Sequence, residues 1–168
     1  MSKLRHAIFC LFVSLTTVWL PSSAHADQAF QRFLPLFVDL DGWQGKKADG
    51  VSMEMPNASM TTANRDYTRG PAQVHASVMV GQPAAGALAP IQSGINLQSS
   101  EGHMVTATMH GLQVMKSFNT PQKSGALLVV LGKDAVFSFS YSGITEDEAM
   151  ALAERFDWKA MQSAAQTK

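Results

Sequence analysis

The chain has 168 residues, of which thirteen are basic and thirteen acidic, and 46% are hydrophobic. A domain of about 150 residues buries about 68–70% of its unfolded surface, so this length supports one domain held by its core alone. The balanced charge excludes the basic excess that a nucleic-acid partner requires.

At the start, Lys3 and Arg5 precede an apolar run from Ala7 to Leu20, and Pro21-Ser22-Ser23 breaks it ahead of Ala24-His25-Ala26. That order is the one a secretory signal peptide needs. The run is shorter than the roughly 20 residues that cross a bilayer, and Ala24 and Ala26 suit a peptidase subsite. Residues 1–26 are therefore read as a cleavable signal peptide, with a periplasmic or secreted mature chain opening at Asp27. The single cysteine, Cys10, leaves with it, so the mature domain has neither disulfide nor thiol nucleophile. Removing Lys3 and Arg5 leaves eleven basic against thirteen acidic residues, a net of −2, and no second apolar stretch of spanning length follows.

From Asp27 to Leu40, Phe30, Phe33, Leu34 and Phe37 have the spacing of one helical face, with Pro35 expected to kink it. Asp41-Gly42 is a turn signal, with Trp43 just beyond. The period then falls to two. Val51, Met53 and Met55 alternate with polar residues and read as a buried strand face, Ser59 to Tyr67 forms a second strand, and Val74, Ala76, Val78 and Val80 a third. Residues 82–94, rich in Ala, Gly and Pro, read as a crossover with a short helical turn near Ala84 to Leu88.

Ile95 to Gln98, His103 to Met109 and Leu112 to Phe118 are expected to form two hairpins, the second closed by His110-Gly111. Ala126 to Leu131 is uniformly apolar between Gly125 and Gly132, as a central strand covered on both faces would be. Ala135, Phe137, Phe139 and Tyr141 alternate with polar residues as a half-buried strand. Thr145 with Glu148 three residues on is a capping box, and Ala149, Leu152, Ala153 and Phe156 give the stripe of a last helix ending at Asp157-Trp158.

These elements predict an α+β fold. Its antiparallel sheet has about six to eight strands, mostly hairpin-connected, and an N-terminal and a C-terminal helix pack on one face. A single domain spans residues 27–161, with a frayed tail at 162–168.

No Gly-x-Ser-x-Gly elbow, phosphate loop or zinc motif occurs in the sequence. No catalytic or cofactor-binding residue is assigned. Two groups of residues remain. Thioethers with imidazoles select Cu(I) or Ag(I), and His75, Met79, His103 and Met109 are the candidate ligands, set against the ordinary use of methionine to fill cores. Trp43, Tyr67 and Trp158 flank turns or element ends and form a candidate partner surface, set against a role in closing the core. Arg65 and Arg69 beside Tyr67 could take an anion or guard a strand edge. The preferred reading is an exported, non-enzymatic binding or accessory domain with a protein or small-molecule partner. The alternatives are a copper or silver site on the Met/His set, and a small hydrolase built on one of the histidines left after cleavage.

Overall fold

The computed structural model describes residues 29–167. The signal peptide read over residues 1–26 lies outside them. Among the described residues the chain forms one antiparallel sheet of nine strands and three α-helices. The α+β class and its antiparallel sheet therefore hold, with one strand more than expected.

The strands are β1 (Gln44–Gly45), β2 (Asp49–Met55), β3 (Ala58–Arg69), β4 (Ala72–Gly81), β5 (Leu97–Ser99), β6 (Gly102–Met109), β7 (Leu112–Asn119), β8 (Ser124–Gly132) and β9 (Ala135–Ser142). Both β1 and β2 pair with β3, and the sheet continues as β4, β9, β8, β7, β6 and β5. The hairpin turn between β6 and β7 needs positive φ at both central residues, and His110 (φ 51°) and Gly111 (φ 76°) supply it. The apolar run of Ala126 to Leu131 is indeed central. Leu127, Val129 and Leu131 are buried on one face, while Leu128 and Val130 pack on the other.

The helices are α1 (Gln82–Gln92), α2 (Glu146–Ala153) and α3 (Trp158–Gln166). Their placement corrects the expected layout in three ways. First, the N-terminal segment is not a helix: within residues 29–40 it makes turns and a 3-10 stretch at Leu34–Leu36, because Pro35 donates no hydrogen bond and disfavours helix before it. Its apolar face still lands in the core through Phe33, Phe37 and Leu40.

Second, α1 lies on the opposite face of the sheet from α2 and α3. The chain must travel from β4 to β5 at the far edge, and β9, β8, β7 and β6 lie between them. Gly81 permits the turn into it: φ is +110°, and a side chain there would strike the Ser59 carbonyl. Pro83 falls in the first helical turn, where its missing N–H has no partner to lose.

Third, the C-terminal helix is two helices. The Thr145 hydroxyl accepts from the Glu148 N–H (3.3 Å) as the capping pattern requires, but the chain breaks after Ala153, and the Asp157 carboxylate caps α3 through the Ala160 N–H (2.8 Å). The expected fraying from Gln162 does not occur up to Gln166, because Met161 is buried and Ala164 and Ala165 pack on the core.

The core sits mainly between the sheet and α2/α3, where Phe156, at the break, meets the rings of Phe37, Tyr67, Phe137 and Phe139 at centroid distances of 5.3–6.4 Å. A smaller cluster joins Ala84, Leu88 and Ile91 of α1 to Met115 and Val136. No helix among the described residues is long and apolar enough to cross a membrane.

Candidate functional site

The four residues expected to hold a soft metal do not meet. His75 and Met79 share the α1 face of β4, and Met79 packs on the α1 cluster. His103 and Met109 stand on β6 with their side chains toward α2 and α3, where His103 meets Glu146 and Met109 packs on the main core. The sheet lies between the two pairs. Strands β9, β8 and β7 also separate β4 from β6, about 19 Å at ~4.8 Å per strand. No group of three or more His, Cys, Asp or Glu side chains among the described residues is placed to hold a metal ion.

The aromatic surface is also corrected, because its rings are inside. Trp43, Tyr67 and Trp158 are 8%, 0% and 4% exposed. The Tyr67 hydroxyl donates to the Val38 carbonyl (2.8 Å), and burial pushes its pKa up to about 12. The Trp158 indole N–H donates to the Ala153 carbonyl (3.0 Å). Arg69 lies over the Trp43 ring (4.5 Å) and pairs with Glu148, while Arg65 donates to the Lys46 and Phe37 carbonyls and pairs with Asp39. Both arginines thus have partners within the fold among the described residues.

Each histidine among the described residues faces a carboxylate. His75 Nδ1 is 2.7 Å from Asp66 Oδ1, His103 Nε2 is 3.1 Å from Glu146 Oε2, and His110 Nε2 is 3.7 Å from Glu154 Oε1. The hydrogen bond with His75 holds the Asp66 carboxyl below its usual range against the opposing effect of burial, with a further hydrogen bond from Lys46 helping to lower it.

Register adds a hydroxyl to the first pair, since Asp66, His75 and Ser140 lie directly opposite one another on β3, β4 and β9. The order of groups is that of a hydrolytic triad, but the surroundings are not. The Asp66 and His75 side chains beside the hollow there keep 40% and 47% of their exposure. Both β4 and β9 are paired on each side, so their backbone N–H groups are committed to the ladder and do not form an oxyanion hole.

The larger concavity, about 890 Å³, lies at the other end of these strands. It is walled by the N-terminal segment, the β2–β3 hairpin, the β8–β9 turn and the C-terminal end of α3. Its size falls within the roughly 300–1,000 Å³ typical of small-molecule sites. Val80, Leu131, Ala135 and Ala165 provide apolar lining, and Ser52, Ser59 and Thr61 provide hydroxyls. The Phe30 N–H donates to Ser52 Oγ (3.1 Å), which lies 3.3 Å from Thr61 Oγ1, so the wall is tied together by its own hydroxyls.

Arg32, Glu54, Lys133 and Asp134 bring charge to the cleft, and none of the four enters an ion pair among the described residues. Arg32 Nε is shielded from solvent and has no hydrogen-bond partner there. A sheltered, unpaired donor of this kind carries an energetic penalty unless something accepts from it.

Sequence reasoning did not find this site, because its walls come from four separated segments. Arg32 fell inside an expected helix, and Glu54, Lys133 and Asp134 belonged to no group that the sequence singled out. The one available signal was Met161, Ala164 and Ala165, whose i, i+3, i+4 spacing extends α3 past Trp158 and carries its end to the cleft. No protein-family model, curated protein or solved structure matches the chain.

Proposed function

We propose that the chain is an exported, non-enzymatic binding domain that takes a small molecule into the 890 Å³ cleft. The observation that carries this reading is the make-up of that cleft, where apolar lining and hydroxyls meet Arg32, Glu54, Lys133 and Asp134, none of them in an ion pair among the described residues. Export rests on the order of charge, apolar run and small residues over 1–26, and N-terminal sequencing of the isolated protein should start at Asp27. Recovery of the intact chain from the cytosol would remove that part. The copper alternative loses its ligand set to the two faces of the sheet, and the hydrolase alternative finds no backbone donors for an oxyanion on β4 and β9 beside the His75 pair.

Binding is tested by amide NMR of the mature chain titrated with the small-molecule filtrate of a periplasmic extract. Shifts are expected at Ser52, Ser59, Thr61 and Leu131 to Ala135, and Ser59→Trp, which fills the cleft from an exposed position, should abolish them. A filtrate that leaves these amides unmoved, or shifts that persist in Ser59→Trp, would overturn the proposal.

A further inference from the structure

The charges of the cleft narrow what it takes. Resting on the small-molecule reading above, we propose that the ligand is a short peptide with both termini free and apolar side chains, its carboxylate held by Arg32 and its ammonium by Asp134.

Among the described residues the lining carries two cations and two anions, which balance. A simple anion drawn to Arg32 and Lys133 would meet repulsion from Glu54 and Asp134, and a simple cation would meet the reverse. A ligand carrying both charges satisfies both signs at once. Arg32 and Asp134 are the half-buried members of the set, whereas Glu54 and Lys133 are exposed at the mouth. Contacts to the inner two are therefore the less screened and the stronger.

The volume favours a peptide over a single amino acid, which would leave most of about 890 Å³ unfilled. The apolar lining, with Leu131 fully buried beneath it, suits aliphatic side chains, and the hydroxyls of Ser59 and Thr61 suit a peptide amide. Capture of a terminal carboxylate or amine is a general mode of peptide recognition, and here one cleft offers partners for both.

The test uses isothermal titration calorimetry of the mature chain with three probes: the dipeptide Leu-Leu, its N-acetyl form and its C-terminal amide. Leu-Leu should bind, and each blocked form should bind on the order of tenfold more weakly, having lost one charge-assisted contact. Arg32→Gln should weaken Leu-Leu and N-acetyl-Leu-Leu while leaving the amide unchanged, and Asp134→Asn should weaken Leu-Leu and the amide while leaving the acetylated form unchanged. Circular dichroism of both variants checks that they fold, and Arg32→Lys should restore part of the carboxylate contact. The proposal falls if either blocked peptide binds as tightly as the free one, or if Arg32→Gln weakens all three equally. If the periplasmic filtrate moves the cleft amides but Leu-Leu does not bind, the peptide assignment falls alone. If neither acts, the binding reading falls with it.

Discussion

The two faces of the sheet are covered to different extents, and the residues beneath record it. On the side of α2 and α3 large buried side chains run across the sheet, from Tyr67 and Val74 through Phe139 and Leu127 to Leu112, with small ones such as Ala63 and Ala76 between them. On the side of α1 four neighbouring strands change character along their length. Met79 gives way to His75 and Gln73 on β4, Val136 to Ser138, Ser140 and Ser142 on β9, Val130 and Leu128 to Ala126 and Ser124 on β8, and Met115 to Ser117 and Asn119 on β7. The apolar ends are the footprint of Ala84, Leu88 and Ile91, and the small polar ends lie outside it. Burial under a particular helix, rather than strand propensity, selected these side chains. Val51, Met53 and Met55 of β2, expected on a buried face, lie on the α1 side and stay 47–54% exposed, because α1 runs toward the opposite edge.

This contrast predicts unequal energetics. Phe156→Ala, which removes a ring touching four others, should destabilise by about 3–5 kcal/mol in urea unfolding. Leu88→Ala on the smaller face should destabilise by about 2–3 kcal/mol, the lower part of the range for a buried leucine, because α1 can settle onto the sheet. Equal losses would erase the distinction between the faces.

A finer comparison lies within the larger face. Tyr67→Phe removes a buried hydrogen bond to the Val38 carbonyl and should reduce stability by about 1–2 kcal/mol. Tyr141→Phe should leave the melting temperature unchanged or raise it, since that hydroxyl is buried with no partner among the described residues. Burial pushes both hydroxyls up to about 12, with Glu146 adding to the effect at Tyr141. The folded chain therefore keeps these protons while unfolded tyrosine loses them near 10.0. Their contribution is complete below pH 10 and disappears as pH rises toward about 12, so thermal melts across that window should fall less steeply in either Phe variant.

The smallest effect belongs to the exposed pair on the α1 face. The Asp66 carboxyl is held low, so its contribution is present above the ordinary carboxylate range and is lost as pH falls through its lowered value. Asp66→Asn should flatten the acid limb of the melting curve slightly, since solvent screens a pair this exposed.

Much of the local structure was legible in particular residues. Thr145 announced the start of α2, His110-Gly111 the tight hairpin, and the alternation through Phe137, Phe139 and Tyr141 a strand with one buried face. The split of the last helix was less legible, because Phe156 continues the stripe of α2 even though the chain has already left the helix there. The segment 82–94 was obscured by Pro83, Gly86 and Pro90, although Ala84, Leu88 and Ile91 carry the i, i+4, i+7 spacing of a helix that needs only a narrow contact.

By itself the sequence determined where most strands alternate, the tight turn at His110-Gly111, the start of α2 at Thr145, and that no thiol lies beyond Cys10. Only the tertiary structure decided that α1 covers the opposite face from α2 and α3, that the Met/His set is divided by the sheet, and that Arg32 and Asp134 line one cleft. The reason is physical: a period of two sorts side chains to the faces of a single strand, but which faces of distant strands coincide depends on strand order and register. Those are set by how the whole chain packs.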